Sequence, residues 1–251
     1  MMKNILKTLC VILSLIPILA QAEPQSAVQP QSAKNKTDAS LSLGLVQTSG
    51  NSETTTFNSK IHYAIKRGIY RIRLDGLYLY GESVGENFAE RVDATNRWEM
   101  RMDSYFLFWD ISYYRDPFQK YGYRIATGPG LGRFFIKTSS AYFSASYYVR
   151  SHNDHLIGID NQYINYTMQH VEERVKYSFA DNISFTQKLI YSVSDRKDGD
   201  YFLNFEAALK NRINKRLAIE FSYVARYQNR PVDITVKRLD TTITTFLVIT
   251  Y

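Results

Sequence analysis

Hydrophobic and polar residues alternate one by one through most of the chain after residue 38, in segments of about ten residues separated by turn-forming residues. A period of two predicts β-strands with one apolar and one polar face. About ten residues is also the length of a β-strand that crosses a bilayer. The pattern predicts twelve strands, at residues 39–49, 54–65, 69–80, 91–103, 105–116, 123–135, 140–150, 166–178, 183–193, 200–211, 216–228 and 237–251.

The alternation is clearest in segment 91–103, where nearly all odd positions are charged and the even positions are apolar apart from Asn96. Segment 69–80 continues the charges on its own odd positions. We predict that both sets line the interior, where residues of opposite sign on neighbouring antiparallel strands form cross-strand pairs. The predicted charge ladder consists of Arg71, Arg73, Asp75, Arg91, Asp93, Arg97, Glu99, Arg101 and Asp103.

A soluble β-sandwich would show the same alternation, but three features favour a membrane barrel. The segments exceed the about five or six residues typical of sandwich strands. Their apolar faces are rich in Tyr, Phe and Trp, often near segment ends, and short connections alternate with longer ones. These features predict a transmembrane antiparallel up-and-down β-barrel of about 12 strands in the bacterial outer membrane, with both termini in the periplasm.

The start of the chain predicts export. Two lysines, an apolar stretch and the small-x-small sequence at 20–22 are typical of a signal peptide over residues 1–22. Residues 23–38, rich in Pro, Gln, Ser and Ala, are predicted to form a periplasmic leader, and residues 39–251 the barrel. Cleavage removes Cys10, the only cysteine, which excludes disulfide and thiolate chemistry in the mature chain. It also removes two positive charges, so the formal net charge falls from +7 to +5.

The modest basic excess does not indicate nucleic acid, because lysines and arginines are interleaved with acids and form no long run. The expected partners are outer-membrane lipids, including the polyanionic lipopolysaccharide. The last strand ends in an aromatic residue, and we predict that Leu247, Ile249 and Tyr251 form the signal that the barrel assembly machinery recognises. This strand must pair with the first one, since an open strand edge is not viable in lipid.

No catalytic residue, cofactor or metal site is predicted. The polar segment 151–165 is expected to be a loop, and His152, Asp154 and His155 within it are of the types found in hydrolytic and metal sites. Neighbouring residues of a loop rarely reach the geometry of a catalytic triad. The acidic residues at 195–200 lack the spacing of a calcium loop. We therefore expect a protein that is not an enzyme.

Two local features need a structural explanation. Gly128, Gly130 and Gly132 share one parity, which predicts small interior residues that permit curvature or let a long side chain cross the interior. Pro129 between them predicts a local bulge, because it has no N–H for the strand ladder. Glu173 falls on the apolar parity of its segment, so we expect a bulge there, a position near the membrane interface, or a later start of the strand.

Four stretches together resemble a family of salt-induced outer-membrane proteins, the domain of unknown function 481. They are Leu43–Thr56 (LGLVQTSGNSETTT), Tyr113–Phe118 (YYRDPF), Gly128–Gly132 (GPGLG) and Asn229–Thr241 (NRPVDITVKRLDT). Their order and spacing agree with the family over essentially the whole chain after the leader. The resemblance implies a mid-sized outer-membrane barrel with no assigned reaction and no established ligand, so no functional residues carry over.

Two functional hypotheses follow. In the first, the ladder is a salt-bridged network that fills the interior of a closed barrel, whose role is structural or related to envelope stress. In the second, the barrel is a narrow channel for small polar solutes or ions, and its charges set the selectivity. Twelve strands lie between barrels filled by side chains and the wide porins. We favour the filled barrel, because charges of both signs in the interior can pair with one another.

Overall fold

The computed structural model describes residues 35–49, 54–83, 86–158, 161–195, 199–231 and 235–250. The predicted all-β fold is confirmed: twelve antiparallel strands close into one barrel in which each strand pairs with its neighbours in sequence and β12 pairs with β1. The strands are β1 (Lys36–Ser49), β2 (Thr54–Arg67), β3 (Tyr70–Ser83), β4 (Glu86–Arg101), β5 (Tyr105–Asp116), β6 (Tyr121–Lys137), β7 (Ala141–Leu156), β8 (Gln162–Ser178), β9 (Ile183–Ser194), β10 (Tyr201–Arg212), β11 (Leu217–Gln228) and β12 (Leu239–Thr250).

Short connections join the strands at one end of the barrel, here called the turn end, where β1 begins and β12 finishes. The other end, the loop end, carries most of the longer connections and a short 3-10 helix at Pro117–Gln119. None of the described residues belongs to a helix with the length and apolar character needed to cross a bilayer. The predicted signal peptide, most of the predicted leader and Tyr251 lie outside the described residues.

Several strand bounds differ from the prediction. β1 begins at Lys36, within the segment assigned to the leader. β4 ends at Arg101 instead of residue 103. The largest difference is the expected loop at 151–165, most of which is strand, because β7 continues to Leu156 and β8 begins at Gln162. These strand ends carry polar residues on both faces, so hydrophobic alternation does not mark them as strand.

The barrel closes through the pairing of β1 with β12, in which Ser40 lies opposite Thr250 and Ser49 opposite Thr241. Leu247, from the predicted assembly signal, lies between Leu43 of β1 and Ile219 of β11. Ile249 occupies the equivalent place one pair further toward the turn end. From Thr241 to Ile249, the closing strand therefore pairs with a neighbouring strand on both sides.

The faces follow the predicted parity. The exterior carries apolar and aromatic side chains that are exposed on the isolated barrel, and charged side chains point into the lumen. Because the barrel has no separate core, the side chains that pack together without water do so inside the lumen. The exposed exterior residues include Trp98, Leu107, Trp109, Ile111, Leu131, Phe221, Ile243 and Leu247.

One side of the lumen is filled by aromatic rings that lie against a glycine-rich strand. Phe106 and Phe108 of β5 form a buried cluster with Phe134 and Tyr148. A Cβ on Gly130 would lie 2.2 Å from the Phe108 ring, and one on Gly132 would lie 2.2 Å from the Phe106 ring. Strand β6 therefore has glycine where two rings pass over it.

Gly128 has a related role. A Cβ there would lie 2.0 Å from the carbonyl oxygen of Val149 and 3.0 Å from the Cα of Arg150, so a side chain has no room. The missing side chain lets Arg150 of β7 reach over β6.

The bulge predicted at Pro129 is absent. The register between β6 and β7 is the same on both sides of Pro129, and the register shifts lie at Tyr121/Tyr123 and Phe134/Ile136.

Glu173 points to the exterior in a strand of regular register. β8 begins at Gln162, earlier than predicted, and its pairings with β7 and β9 contain no bulge. Glu173 lies opposite Ala145 on one side and Leu189 on the other. Two of the three explanations expected for this carboxylate, a bulge and a later strand start, are therefore wrong.

Candidate functional site

The lumen is the candidate functional site, and the structure places eight of the nine ladder residues there. Arg71, Arg73 and Asp75 project from β3, and Arg91, Asp93, Arg97, Glu99 and Arg101 from β4. The ninth residue, Asp103, is exposed in the turn beyond β4, so its assignment to the lumen is wrong. Its backbone carbonyl accepts a hydrogen bond from Lys137 Nζ at 3.4 Å.

The pairing within the ladder differs from simple cross-strand exchange. Arg71 lies opposite Glu99, but Arg73 lies opposite Arg97, a pair of like charge. Arg73 is instead compensated along its own strand by Asp75, at 2.7 Å. The Glu99 carboxylate accepts a hydrogen bond from Arg101 Nε at 2.7 Å. It also forms ion pairs with Arg71 and Arg73, in each case at 3.9 Å from a guanidinium nitrogen. One buried carboxylate therefore serves three arginines at the turn end.

Asp110 of β5 is the centre of the most buried network. It accepts hydrogen bonds from Arg97 Nε and Nη2 at 3.0 and 2.7 Å. It also accepts hydrogen bonds from Arg150 Nε and Nη2, at 2.8 and 2.7 Å. Four charge-assisted bonds to one carboxylate fix both guanidinium planes, which is the geometry of a strong, rigid ion pair.

This network also crosses the lumen. Arg97 Nη1 donates a hydrogen bond to Glu172 of β8 at 3.4 Å, and Glu172 also accepts a hydrogen bond from Arg174 Nε. The Arg97 guanidinium lies 4.0 Å from the centre of the Phe108 ring, so an aromatic face covers it. Arg97, Asp110 and Glu172 are paired and shielded from water, which makes this side of the lumen a packed polar core.

A second arginine–carboxylate pair lies near the loop end. Arg124 of β6 donates to both carboxylate oxygens of Asp154 at 2.8 and 2.7 Å, and the Tyr166 hydroxyl donates to the same group at 2.8 Å. Asp154 is fully buried. This residue was expected in a loop, but it is part of the barrel wall.

The opposite wall has charges of a different character. Lys188 Nζ of β9 lies 2.8 Å from Glu206 of β10, and Lys60 Nζ of β2 lies 3.8 Å from Glu220 of β11. These four side chains remain 18–39% accessible, whereas Arg97, Asp110 and Glu172 are 0–4% accessible. The lysine–glutamate pairs are therefore in contact with water, and we call these four residues the wet wall.

Two cavities adjoin along the wet wall. One, of about 700 Å³, extends to the loop end, where Gln119, Arg124 and Lys237 line it. The other, of about 640 Å³, extends to the turn end, where Thr138–Tyr142 line it. Nine residues line both cavities: Lys60, His62, Arg73, Asp75, Arg174, Thr186, Lys188, Glu206 and Glu220.

The histidines considered for hydrolytic or metal chemistry do not lie together in a loop. His152 is buried on the lumen side of β7, where it stacks on Tyr166 at 5.0 Å, while His155 stacks on Tyr163 with their rings 4.6 Å apart. Neither ring nitrogen of His152 has a hydrogen-bond partner among the described residues. Across the same residues, no three His, Cys, Asp or Glu side chains are grouped to hold a metal ion.

Sequence reasoning missed the residues that organise this site. Asp110, Arg150 and Glu172 have lumen parity in their strands, and parity was the signal that could have found them. The wet-wall residues also have lumen parity in segments that were predicted correctly as strands. What parity does not show is which of these side chains meet across the lumen.

Comparison with known proteins places the chain in a family. The family model described as "Protein of unknown function, DUF481" matches residues 29–251. The chain belongs to this family. None of the curated proteins matches it.

Solved structures share the fold at low sequence identity. The chain is similar to the NanC porin, with a TM-score of 0.55, 11% identity, and 83% of this chain and 98% of that chain covered. It is also similar to an outer-membrane channel from Pseudomonas putida F1, with a TM-score of 0.56, 8% identity, and 90% and 100% of the two chains covered. The KdgM porin in complex with disordered oligogalacturonate gives a TM-score of 0.50 at 9% identity, covering 84% and 99%. The fold of this family member is therefore that of outer-membrane porins.

Proposed function

We propose that this protein is a narrow channel of the bacterial outer membrane that passes small polar solutes or ions along the wet wall. One observation carries the proposal: two water-accessible cavities, one extending to each end of the barrel, share nine lining residues. The porin fold supports the location, because a closed barrel satisfies all backbone hydrogen bonds and its exterior is apolar.

In this proposal the network around Asp110 packs against one side of the lumen, while Arg73 and Asp75 of the ladder line the path. Arg97, Asp110, Arg150 and Glu172 fill the side formed by β4 to β8 and hold the wall in shape. The path follows Lys60, Lys188, Glu206 and Glu220, whose alternating charges suit small polar molecules better than large apolar ones. Rings of charge set selectivity in other pores in the same way.

A closed barrel with a structural or envelope-stress role is the second candidate. The ion pair from Arg97 of β4 to Glu172 of β8 favours it, because this contact reaches across the interior. A role in osmotic stress, as the salt-induced label of the resembling family implies, stays a prediction in either case.

The deciding experiment is single-channel recording of the purified protein in planar bilayers. The wild type should give small, discrete conductance steps. Lys60→Gln combined with Lys188→Gln should shift the reversal potential toward cation selectivity, because both removed charges border the path. Arg67→Gln, at an exposed position beside the turn end, is the matched control and should leave selectivity unchanged. A silent, correctly folded wild type would support the closed barrel instead.

A further inference from the structure

The exterior of β6, β7 and β8 carries two opposite charges where the rest of the barrel is mostly apolar. Arg133 lies opposite Ala145, and Ala145 lies opposite Glu173, so the three residues form one row across three strands. At about 4.8 Å between strands, the Cα atoms of Arg133 and Glu173 are roughly 10 Å apart. The described residues contain no ion pair between them, and Ala145 leaves a shallow gap in the middle.

Glu173 points to the exterior on the inner side of the aromatic belt at the turn end, so in a membrane a single barrel would expose its carboxylate to lipid. Along β8 it is four residues from Tyr177, whose ring packs against Phe179 in the aromatic belt of the turn end. Four residues of a tilted strand rise about 10 Å. A carboxylate at that depth needs a partner, since lipid offers it no hydrogen bond.

The row is self-complementary about its centre. A two-fold axis parallel to the barrel axis and passing near Ala145 would bring Arg133 of one barrel to the same side as Glu173 of a second barrel, and Glu173 to the side of Arg133. Because the strands are tilted, the paired Cα atoms differ by roughly 6 Å in height, which the long side chains of Arg and Glu can span. Such an isologous arrangement makes each contact twice. The small Ala145 side chain allows the two walls to approach closely at the axis.

We propose that the exterior of β6–β8 is the interface between two copies of this chain, held by reciprocal Arg133–Glu173 ion pairs. The proposal rests on the part of the proposed function that places the barrel in a membrane, and it does not depend on conduction. Further polar groups on the same face agree with it. Tyr147 of β7 and Gln169 of β8 both lie on this face, and the Tyr147 hydroxyl donates to the Gln169 side-chain oxygen at 3.0 Å.

Disulfide trapping tests the position of the axis. Cys10 is the only cysteine in the sequence, so with Cys10→Ser in the background a single new cysteine reports on one site. Ala145→Cys should give disulfide-linked dimers in oxidised membranes. Leu43→Cys, exposed on β1 at the opposite side of the barrel, is the control and should give at least tenfold less. Equal yields from the two positions, or no dimer from Ala145→Cys, would overturn the proposal.

Charge exchange tests the ion pairs. Glu173→Arg alone and Arg133→Glu alone should each weaken dimerisation at least tenfold in analytical ultracentrifugation in detergent, and the double exchange should restore it to within threefold. If a single exchange prevents folding, as shown by loss of heat-modifiable migration on gels, Glu173→Gln and Arg133→Gln replace it. A dimer that is insensitive to both single changes, or a wild type that is monomeric in lipid, would refute the interface.

The proposed channel and the proposed dimer interface can be refuted independently of each other. The interface residues point away from the lumen, so charge exchange should leave the conductance of each barrel unchanged. A silent channel that still forms Ala145→Cys dimers would contradict only the proposed function. A conducting protein without those dimers would contradict only the interface.

Discussion

Replacing Asp110 with asparagine should destabilise the barrel far more than the same change at Asp75. Asp110 is fully buried and accepts four hydrogen bonds from two arginines. Asparagine keeps the shape but removes the charge, and its amide N–H groups cannot accept from guanidinium groups. Its single amide oxygen can still accept from the two arginines, but Arg97 and Arg150 lose the negative charge that compensates both guanidinium groups. Breaking a buried pair from one side costs about 3–5 kcal/mol.

Asp75 provides the control because its chemistry is the same and its environment is different. It lies 2.7 Å from Arg73 and 2.6 Å from His62, but 42% of its side chain is accessible. Solvent screening limits such pairs to about 1 kcal/mol or less. The expected difference between the variants is therefore roughly 3 kcal/mol, which corresponds to a shift of about 1–3 M in the urea midpoint.

The assay is urea unfolding from lipid vesicles, followed by tryptophan fluorescence and by heat-modifiable migration on gels. Asp110→Asn should unfold at clearly lower urea than Asp75→Asn, which should stay close to the wild type. If the two midpoints agree within about 0.5 M, the difference in free energy is too small for a buried charge network. The assignment of a dry, paired side of the lumen would then be wrong.

Three further predictions use the same unfolding assay or simple fractionation. Phe221→Arg on the exterior should cost about 2–4 kcal/mol near the membrane midplane, whereas Ser112→Arg on the lumen face should cost less; equal costs would reverse the assigned faces. Gly132→Ala should cost about 1–3 kcal/mol by overpacking against the Phe106 ring, whereas Gly76→Ala, with its nearest neighbour atom 4.0 Å away, should be close to neutral. Deleting Tyr251 should lower the amount of protein in the outer-membrane fraction on immunoblots without lowering synthesis, and normal abundance would contradict its role in assembly.

The faces of the strands were predictable because parity alone decides them. β5 was predicted with the bounds that the structure shows, since Trp109 and Ile111 alternate with Asp110 and Ser112 without interruption. In a barrel wall each side chain points either in or out, so a period of two contains nearly all of the information on facing. The number of strands and the closure followed from the same pattern.

The strand ends and the partners across the lumen were not predictable in this way. The end of β7, Ser151–Leu156, is polar on both parities, so hydrophobic alternation cannot distinguish it from a loop. Arg97 and Glu172 are 75 residues apart in sequence, and only the curvature of the closed sheet brings them together. Arg150 reaches Asp110 because Gly128 leaves room between them, which depends on three strands at once.

The two hypotheses drawn from the sequence, a filled barrel and a channel, treat the lumen charges as one set, whereas the structure divides them by their access to water. A carboxylate without solvent must be fully paired, and Asp110 and Glu172 each contact two arginines. A carboxylate that is accessible to water needs fewer ion-pair partners, and Glu206 and Glu220 each contact one lysine. Because hydration and not sequence position separates the two sets, a change on the dry side should appear in stability and a change on the wet wall in conductance.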